Sequence, residues 1–239
     1  MSNKLGYLGF IASMILLTGC GRLIDWGKSR LYQGDSFKLN TEQIDKYMRW
    51  VTVYDQFTTV AMFDALWLSS SVRAVFAQEH AFREGKSEEH YKAGLRRQLE
   101  EPNHFIAFYV LSLHEVVLGD PASEWSVFLV VDGHKLDPIE LKGIDLPYEY
   151  QIFFGKRLTL FKDAYSIKFN AKNAEEKPYI TSETKTIQLY FRKFDKEVIL
   201  TWNLDHQGFV IPERVSGGVP VLESREDIIK NSYEVCADE

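Results

Sequence analysis

The stretch VTVYDQFTTVAMFDALWL, residues 51–68, carries the alternating pattern from which the fold is predicted. Side chains at every second position share one face, and these are Phe57, Thr59, Ala61, Phe63, Ala65 and Trp67. Because a period of two is typical of a half-buried strand, residues 51–68 are predicted to form one long strand, bent or bulged near Asp55-Gln56. Alanine, methionine and leucine in residues 59–68 also favour a helix, which is the competing prediction there.

A helical hairpin is predicted directly after this strand. The serines at 69–71 offer an N-cap, and Gly85 is a natural end for the helix that follows. Ser87 begins a second helix, in which apolar residues recur at a spacing of four. Together these signals predict two helices at about residues 70–101.

The chain from residue 104 to residue 204 is predicted to be mostly β. Asp132-Gly133 lies between two apolar runs and accepts the two positive φ angles of a type I′ turn. Asp195-Lys196 predicts a second tight hairpin. Further strands are predicted at 104–113, 150–154, 164–170, 185–194 and 197–204. The predicted fold class is therefore mainly β, an immunoglobulin-like β-sandwich of about seven strands, with the helical hairpin inserted between its first and second strands.

The first twenty residues have the pattern of a bacterial targeting signal. After Lys4 comes an apolar run of about 13 residues, which is too short for a bilayer span of roughly 20 residues and is typical of a signal-peptide core. Leu17-Thr18-Gly19-Cys20 then resembles a bacterial lipobox. The alternatives are an ordinary secretory signal followed by a chance cysteine, and a cytosolic protein with an apolar N-terminus.

The lipobox resemblance implies a lipid anchor on Cys20. In such lipoproteins the cysteine thiol carries a diacylglycerol thioether, cleavage precedes the cysteine, and the new amine is commonly acylated. Two or three acyl chains hold a protein stably on a bilayer, whereas one chain binds only marginally. Gly21 follows the cysteine, and by the same resemblance this favours the outer membrane over the inner membrane. The expected location is the bacterial cell envelope.

The resulting organisation has four parts: a signal peptide at 1–19, a tether with a short helix at 20–48, the β-sandwich at 49–205, and a C-terminal tail at 206–239. The short helix is predicted from Glu42 to about Arg49, and another is predicted in the tail at 223–233. An apolar content of 45% with 14% aromatic residues supports a sizeable core in the sandwich.

The charge of the mature chain argues against a nucleic-acid partner. Removal of residues 1–19 takes away one lysine and leaves 27 basic and 34 acidic residues, a net charge of −7. Nucleic-acid-binding domains instead carry a basic patch or stripe. Once Cys20 is acylated, Cys236 is the remaining thiol, so no disulfide can form within the chain.

The sequence shows no phosphate-binding loop, CxxC pair, HExxH or GxSxG motif. His80 and Glu84 have the spacing that places two ligands on one helix face, but an exposed pair beside Arg83 is the favoured interpretation. His114 and Glu115 are adjacent on a strand, so their side chains are expected to point in opposite directions. No metal and no cofactor are expected.

Asp55, Asp64 and Tyr54 are the candidate buried polar residues, because they lie in the most apolar β segment. An unpaired carboxylate inside a core is costly, so each aspartate needs a partner. Arg73, on the helix that follows, is the expected partner of Asp64. A structural role is favoured over acid/base catalysis, and the Tyr54-Asp55 pair is the first candidate for a site.

The body of the chain also resembles a group of uncharacterised bacterial lipoproteins. The resemblance rests on VYDQFTTVAMFDALWLSSSVRAVFAQEHA, WSVFLVVDGHKLDPIEL and DKEVILTWNL, and it covers roughly residues 50–204. It implies no activity, cofactor or catalytic residue.

Three function classes remain open from the sequence. The favoured one is a non-enzymatic binding or assembly module of the envelope with a protein partner, which is an inference from sandwich folds in general. The second is an envelope hydrolase acting on peptidoglycan or glycans, which needs paired acids or a nucleophile and base in one cleft. The third is a carrier of a small ligand or lipid, which needs a closed apolar cavity between the sheets.

Overall fold

A computed structural model describes residues 43–205 and 209–211 of the chain. Cys20, Cys236, the predicted signal peptide, residues 20–42 of the predicted tether and the predicted tail helix lie outside the described residues. The rest of the predicted tether belongs to the body, because Ile44, Tyr47 and Met48 are buried in its core. The strands are β1 Met48–Asp55, β2 Thr58–Trp67, β3 Phe105–Leu113, β4 Ser126–Val131, β5 His134–Leu136, β6 Glu140–Gly143, β7 Lys162–Asn170, β8 Thr186–Lys193 and β9 Lys196–Asn203. The α-helices are α1 Ser70–Arg83, α2 Glu88–Glu100 and α3 Tyr148–Phe154, and two 3-10 turns follow at Glu101–Asn103 and Gly155–Arg157.

The strands form two antiparallel sheets. Sheet A has the order β1-β2-β3-β7-β6, and sheet B has the order β5-β4-β8-β9. The predicted mainly β fold with a sandwich-like architecture is thereby confirmed. The immunoglobulin-like detail is a finer statement and stays a prediction.

Aromatic side chains join the two sheets. Phe63 of β2 stacks on Phe191 of β8, with 4.0 Å between the ring centroids and an interplanar angle of 10°. Phe108 of β3 meets Trp202 of β9 at 5.2 Å. All four side chains are fully buried. Such ring pairs stabilise a core by about 0.5–1.5 kcal/mol beyond the area they bury, so this layer contributes directly to holding the sheets together.

The prediction of one long strand at 51–68 is wrong, because the chain reverses there. β1 and β2 pair from Met48 with Leu66 up to Asp55 with Thr58, and Gln56-Phe57 forms the turn at a positive φ of 53° for Gln56. Alternation at period two continues on both sides of a two-residue turn, so it cannot distinguish a bend from a reversal. The helical hairpin therefore follows the second strand and not the first, and the competing helix at 59–68 does not form.

The predicted strand at 150–154 is also wrong, because this segment is the helix α3. Its buried residues Tyr150, Phe153 and Phe154 have the i, i+3, i+4 spacing of a helix face. A five-residue apolar run fits either element, and periodicity alone does not decide between them. The short helix predicted at 42–49 is helical only at residues 43–45 in the described part, and β1 begins at Met48.

The helical hairpin and the Asp-Gly turn are confirmed. Ser69 caps α1 by accepting a hydrogen bond from the Val72 amide. Asp132 and Gly133 have φ angles of 45° and 87°, as a type I′ turn demands. The second tight hairpin also forms, one residue earlier than predicted, because Lys193 pairs with Lys196 and the turn is Phe194-Asp195.

The helices α1 and α3 cover the outer face of sheet A. Tyr150 of α3 stacks on Phe76 of α1 at 4.5 Å and meets Tyr109 of β3 edge-on at 4.8 Å. The buried Arg73 of α1 donates to the Leu68 carbonyl and to the Glu101 carboxylate, at 3.1 and 2.6 Å. The arginine thus ties the start of α1 to the chain that follows α2.

Candidate functional site

Asp64 is the centre of a buried charged cluster on the outer face of sheet A. Its carboxylate accepts a hydrogen bond from the Lys162 ammonium at 2.5 Å and lies 3.3 Å from Arg157. The Asp64 and Lys162 side chains are only 4% and 6% exposed. The Arg157 guanidinium also lies over the Trp50 ring, 3.5 Å from its centroid. Two cations therefore hold one carboxylate that the core would otherwise leave unpaired.

Burial of Asp64 with a cationic partner was predicted, but the predicted partner is wrong. Arg73 bonds Glu101, Gln98 and the Leu68 carbonyl, and the partners of Asp64 are Lys162 and Arg157. The sequence offered Arg73 because it is close along the chain. The actual partners are 98 and 93 residues away, so only the sheet topology brings them together.

The predicted burial of Asp55 and Tyr54 is wrong. Both lie beside the β1–β2 turn, where the Asp55 side chain is 61% exposed and Tyr54 is 50% exposed. The reversal of the chain at Gln56-Phe57 moves them from the middle of the expected strand to the end of a hairpin. The pair is exposed and therefore does not line a cleft that could support acid/base chemistry. It forms part of an exposed surface at the end of the hairpin.

His114 is held by two acceptors. Its Nδ1 lies 2.7 Å from the Asp163 carboxylate, and its Nε2 lies 2.8 Å from the Leu160 carbonyl oxygen. The hydrogen bond to Asp163, followed by the one to Leu160, raises the pKa of His114 above its usual range. This contribution to stability is therefore present below about pH 6.5 and is lost as the pH rises through the raised pKa. Both ring nitrogens of His114 face acceptors, so neither nitrogen is free to take a proton from a substrate.

Two phenols on the helical side of sheet A stay protonated. Burial raises the pKa of Tyr150, and the pKa of half-buried Tyr109 is raised for the same reason. Arg73 opposes these shifts at both phenols and does not outweigh burial. These tyrosines can pack and donate hydrogen bonds at neutral pH, but they are not available as phenolates.

An open depression of about 300 Å³ lies at the β6 side of sheet A. Its lining residues are Gly143, Ile144, Asp145, Asp163, Ala164 and Tyr165. Two carboxylates line it, but Asp163 is already bonded to His114. The depression is open and polar, whereas the predicted carrier function requires a closed apolar cavity.

The outer face of sheet B carries a row of apolar side chains across three strands. Phe128 of β4, Tyr190 of β8 and Ile199 of β9 are in register. Phe128 and Tyr190 stack at 4.7 Å, and Ile199 is 43% exposed. Lys135 of β5 lies over the Phe128 ring at 4.5 Å. We call the surface formed by Phe128, Tyr190, Ile199 and Lys135 the open face of sheet B.

A second apolar surface lies where the β1–β2 and β8–β9 hairpins end side by side. Phe57 and Phe194 occupy the two turns and are 102% and 93% exposed. Lys196 lies 3.6 Å from Asp55 and 3.1 Å from Asp195, so one ammonium links the two turns. We call Tyr54, Phe57 and Phe194 the aromatic end.

The aromatic end was not predicted from the sequence, although the sequence contains a signal for it. Phe57 was expected on the same face of a continuous strand as Phe63 and Trp67, and the structure places it in a turn. Two-residue hairpin turns favour glycine, asparagine and aspartate for backbone reasons. Backbone geometry does not explain why each of two neighbouring turns contains a phenylalanine. The two phenylalanines therefore point to a role of this surface.

Neither a metal-binding cluster nor a membrane-spanning helix is found among the described residues. Within 43–205 and 209–211, no three His, Cys, Asp or Glu side chains lie close enough together to hold a metal ion. In the same part of the chain, no helix is both long enough and apolar enough to cross a bilayer.

The role of the Asp64 cluster leads to a stability prediction. Asp64→Ala leaves Lys162 buried without its carboxylate, and breaking a buried pair in this way costs about 3–5 kcal/mol of unfolding free energy. Urea unfolding followed by tryptophan fluorescence measures the loss. Asp55→Ala, which removes an exposed carboxylate, is the matched control and should cost at most about 1 kcal/mol.

The double variant Asp64→Leu with Lys162→Met removes both buried charges together. It should recover most of the stability lost in Asp64→Ala, because no unpaired charge remains in the core. Equal stability of Asp64→Ala and Asp55→Ala would show that Asp64 is not held as described.

Comparisons of the chain with protein-family models, curated proteins and solved structures gave no match.

Proposed function

We propose that the protein is a lipid-anchored lipoprotein of the bacterial envelope, and that its β body is a non-enzymatic module that binds an envelope protein. The single observation that carries the binding role is the open face of sheet B. The lipobox-like Leu17-Thr18-Gly19-Cys20 supports the anchor, and Gly21 supports an outer-membrane location. Residues 20–42 serve as the tether, because Ile44, Tyr47 and Met48 are buried in the core of the body.

The open face of sheet B has the chemistry of a protein-binding surface. Tyrosine and phenylalanine are enriched in interfaces, because a rigid ring buries a large area at little cost in side-chain entropy. The stack between Phe128 and Tyr190 orders both rings before any partner arrives. Such preorganisation reduces the entropy that binding must offset.

Polar groups surround this apolar row. Lys135 lies at one side, and Arg192 and Glu197 face each other at 3.6 Å on the other. A polar rim around a small aromatic centre is the usual anatomy of a reversible protein interface. The face therefore supports a partner with a complementary apolar patch and charges of both signs.

The two alternatives from the sequence have weaker support. The depression beside β6 brings Asp145 and Asp163 to one lining, but His114 already bonds Asp163. A hydrolase would need a carboxylate free to act on the substrate or on water. We therefore place the binding module first and keep the hydrolase as the second prediction.

The anchor is tested by metabolic labelling with an alkyne fatty acid. We expect label on the wild-type chain and none on Cys20→Ser, because the cysteine sulfur carries the diacylglycerol. Cys236→Ser is the matched control and should label like the wild type. Equal labelling of Cys20→Ser and wild type would contradict the anchor.

The binding face is tested by photo-crosslinking in the native envelope. A photoreactive amino acid at Ile199 should give one discrete protein adduct, because this side chain lies in the open face and is 43% exposed. The same amino acid at Glu89, an exposed position of α2, is the control and should not give that adduct.

Substitution of Tyr190 by alanine should abolish the adduct formed from position 199, since it removes the centre of the aromatic row. Identical adducts from positions 199 and 89, or an adduct that persists in the Tyr190→Ala chain, would show that the open face of sheet B is not the binding surface.

A further inference from the structure

The aromatic end is formed by the tips of two hairpins. β2 pairs with β3 only from Phe63 onward, whereas its first five residues, 58–62, lie beyond the end of β3 and pair with β1. At about 3.3 Å per residue, the β1–β2 hairpin extends roughly 17 Å beyond the neighbouring strand. Phe57 sits at the tip of this extension with its whole side chain exposed.

The β8–β9 hairpin ends beside the tip of the β1–β2 hairpin. β9 runs beside β1, as the 2.7 Å hydrogen bond from Arg49 to the Thr201 carbonyl shows at one end of the pair. Lys196 and Asp55 meet at the other end, 3.6 Å apart. Phe194 is therefore held next to the β1–β2 turn, and the two phenylalanines stand on separate turns of one end of the body.

The charges at the aromatic end are largely paired with one another. Lys196 lies between Asp55 and Asp195, and Lys193 meets Glu124 at 2.5 Å. The hydrogen bond to Asp195 raises the pKa of Lys196, and the same contact lowers the pKa of Asp195. These three acidic and two basic groups carry a net charge of −1, which does not favour an anionic lipid surface.

We propose that the aromatic end inserts into the interfacial layer of a zwitterionic lipid bilayer. The proposal rests on the proposed function, because the lipid anchor on Cys20 brings a bilayer within reach. Apolar side chains that stand out from the surface on separate turns need no shape complementarity in a fluid layer. A protein partner would need a matching pocket for each phenylalanine.

The length of chain before the body permits this geometry. β1 begins at Met48, at the end of the body away from the aromatic end, and its eight residues span about 26 Å. The 22 residues from 21 to 42 can reach at most about 79 Å. The anchor and the aromatic end can therefore touch one bilayer at the same time.

Depth-dependent fluorescence quenching tests the proposal on the acylated full-length chain in phosphatidylcholine vesicles. A polarity-sensitive fluorophore is attached at Thr58→Cys in the Cys236→Ser background, which leaves both phenylalanines in place. We expect a blue shift and strong quenching by lipids that carry a nitroxide on the acyl chain. The same fluorophore at His134→Cys, the first residue of β5 beside the β4–β5 turn at the opposite end, should show neither.

The phenylalanines are tested in the same labelled chain. Phe57→Ser with Phe194→Ser should reduce the quenching at position 58 by at least about half, because the apolar area that enters the bilayer is lost. Phe82→Ser, which replaces a phenylalanine of α1 that is 64% exposed, is the matched control and should leave the quenching unchanged. Quenching should not increase when anionic lipid is added.

The possible failures are distinguishable. Mass spectrometry of the N-terminal peptide reports acylation separately, so absence of acyl chains overturns the anchor and the proposed function. In that case the aromatic end is still tested with the Cys20→Ser chain at high lipid concentration. The quenching is again compared between fluorophores at positions 58 and 134. Equal signals at 58 and 134 in bilayers, or a protein adduct from a photoreactive group at 58 in the native envelope, overturn the lipid proposal.

Discussion

The stack of Phe63 on Phe191 is the contact on which the rest of the structure depends. With Phe108 and Trp202 it holds sheet A against sheet B and fixes which face of each sheet is buried. Because side chains alternate along a strand, the inner faces determine the outer faces as well. Sheet A therefore presents Asp64 and Tyr109 outward, where α1, α3 and the turn after α3 contact them. Sheet B presents its row of Phe128, Tyr190 and Ile199 outward.

The two sides of the body differ in how they satisfy polar groups. On the helical side, charged residues are buried and paired, with Asp64 bonded to Lys162 and Arg73 bonded to Glu101. Removal of one partner from such a pair is costly, so these clusters fix the position of the covering segments. On the side of sheet B the aromatic row is partly exposed and bordered by ion pairs at the surface. This contrast gives the first side a structural role and supports the binding role proposed for the second.

Local chemistry predicted part of this fold. The Asp132-Gly133 turn and the cap at Ser69 were found from the sequence because each depends on a few adjacent residues. The turn at Gln56-Phe57 was missed, since neither residue is typical of a two-residue turn. The partners of Asp64 could not be found, because they are more than ninety residues away along the chain. Surfaces formed by several strands, such as the open face of sheet B, also appear only once the registers are known.

Native-state hydrogen exchange tests most directly whether the aromatic layer makes the two sheets one cooperative unit. The central strands β3 of sheet A and β8 of sheet B contribute Phe108 and Phe191 to that layer. If the layer joins the sheets, the slowest amides of both strands exchange with the same free energy, and that value equals the free energy of global unfolding. Protection of β3 and β8 that differs by several kcal/mol, with one sheet opening while the other stays closed, would contradict the account.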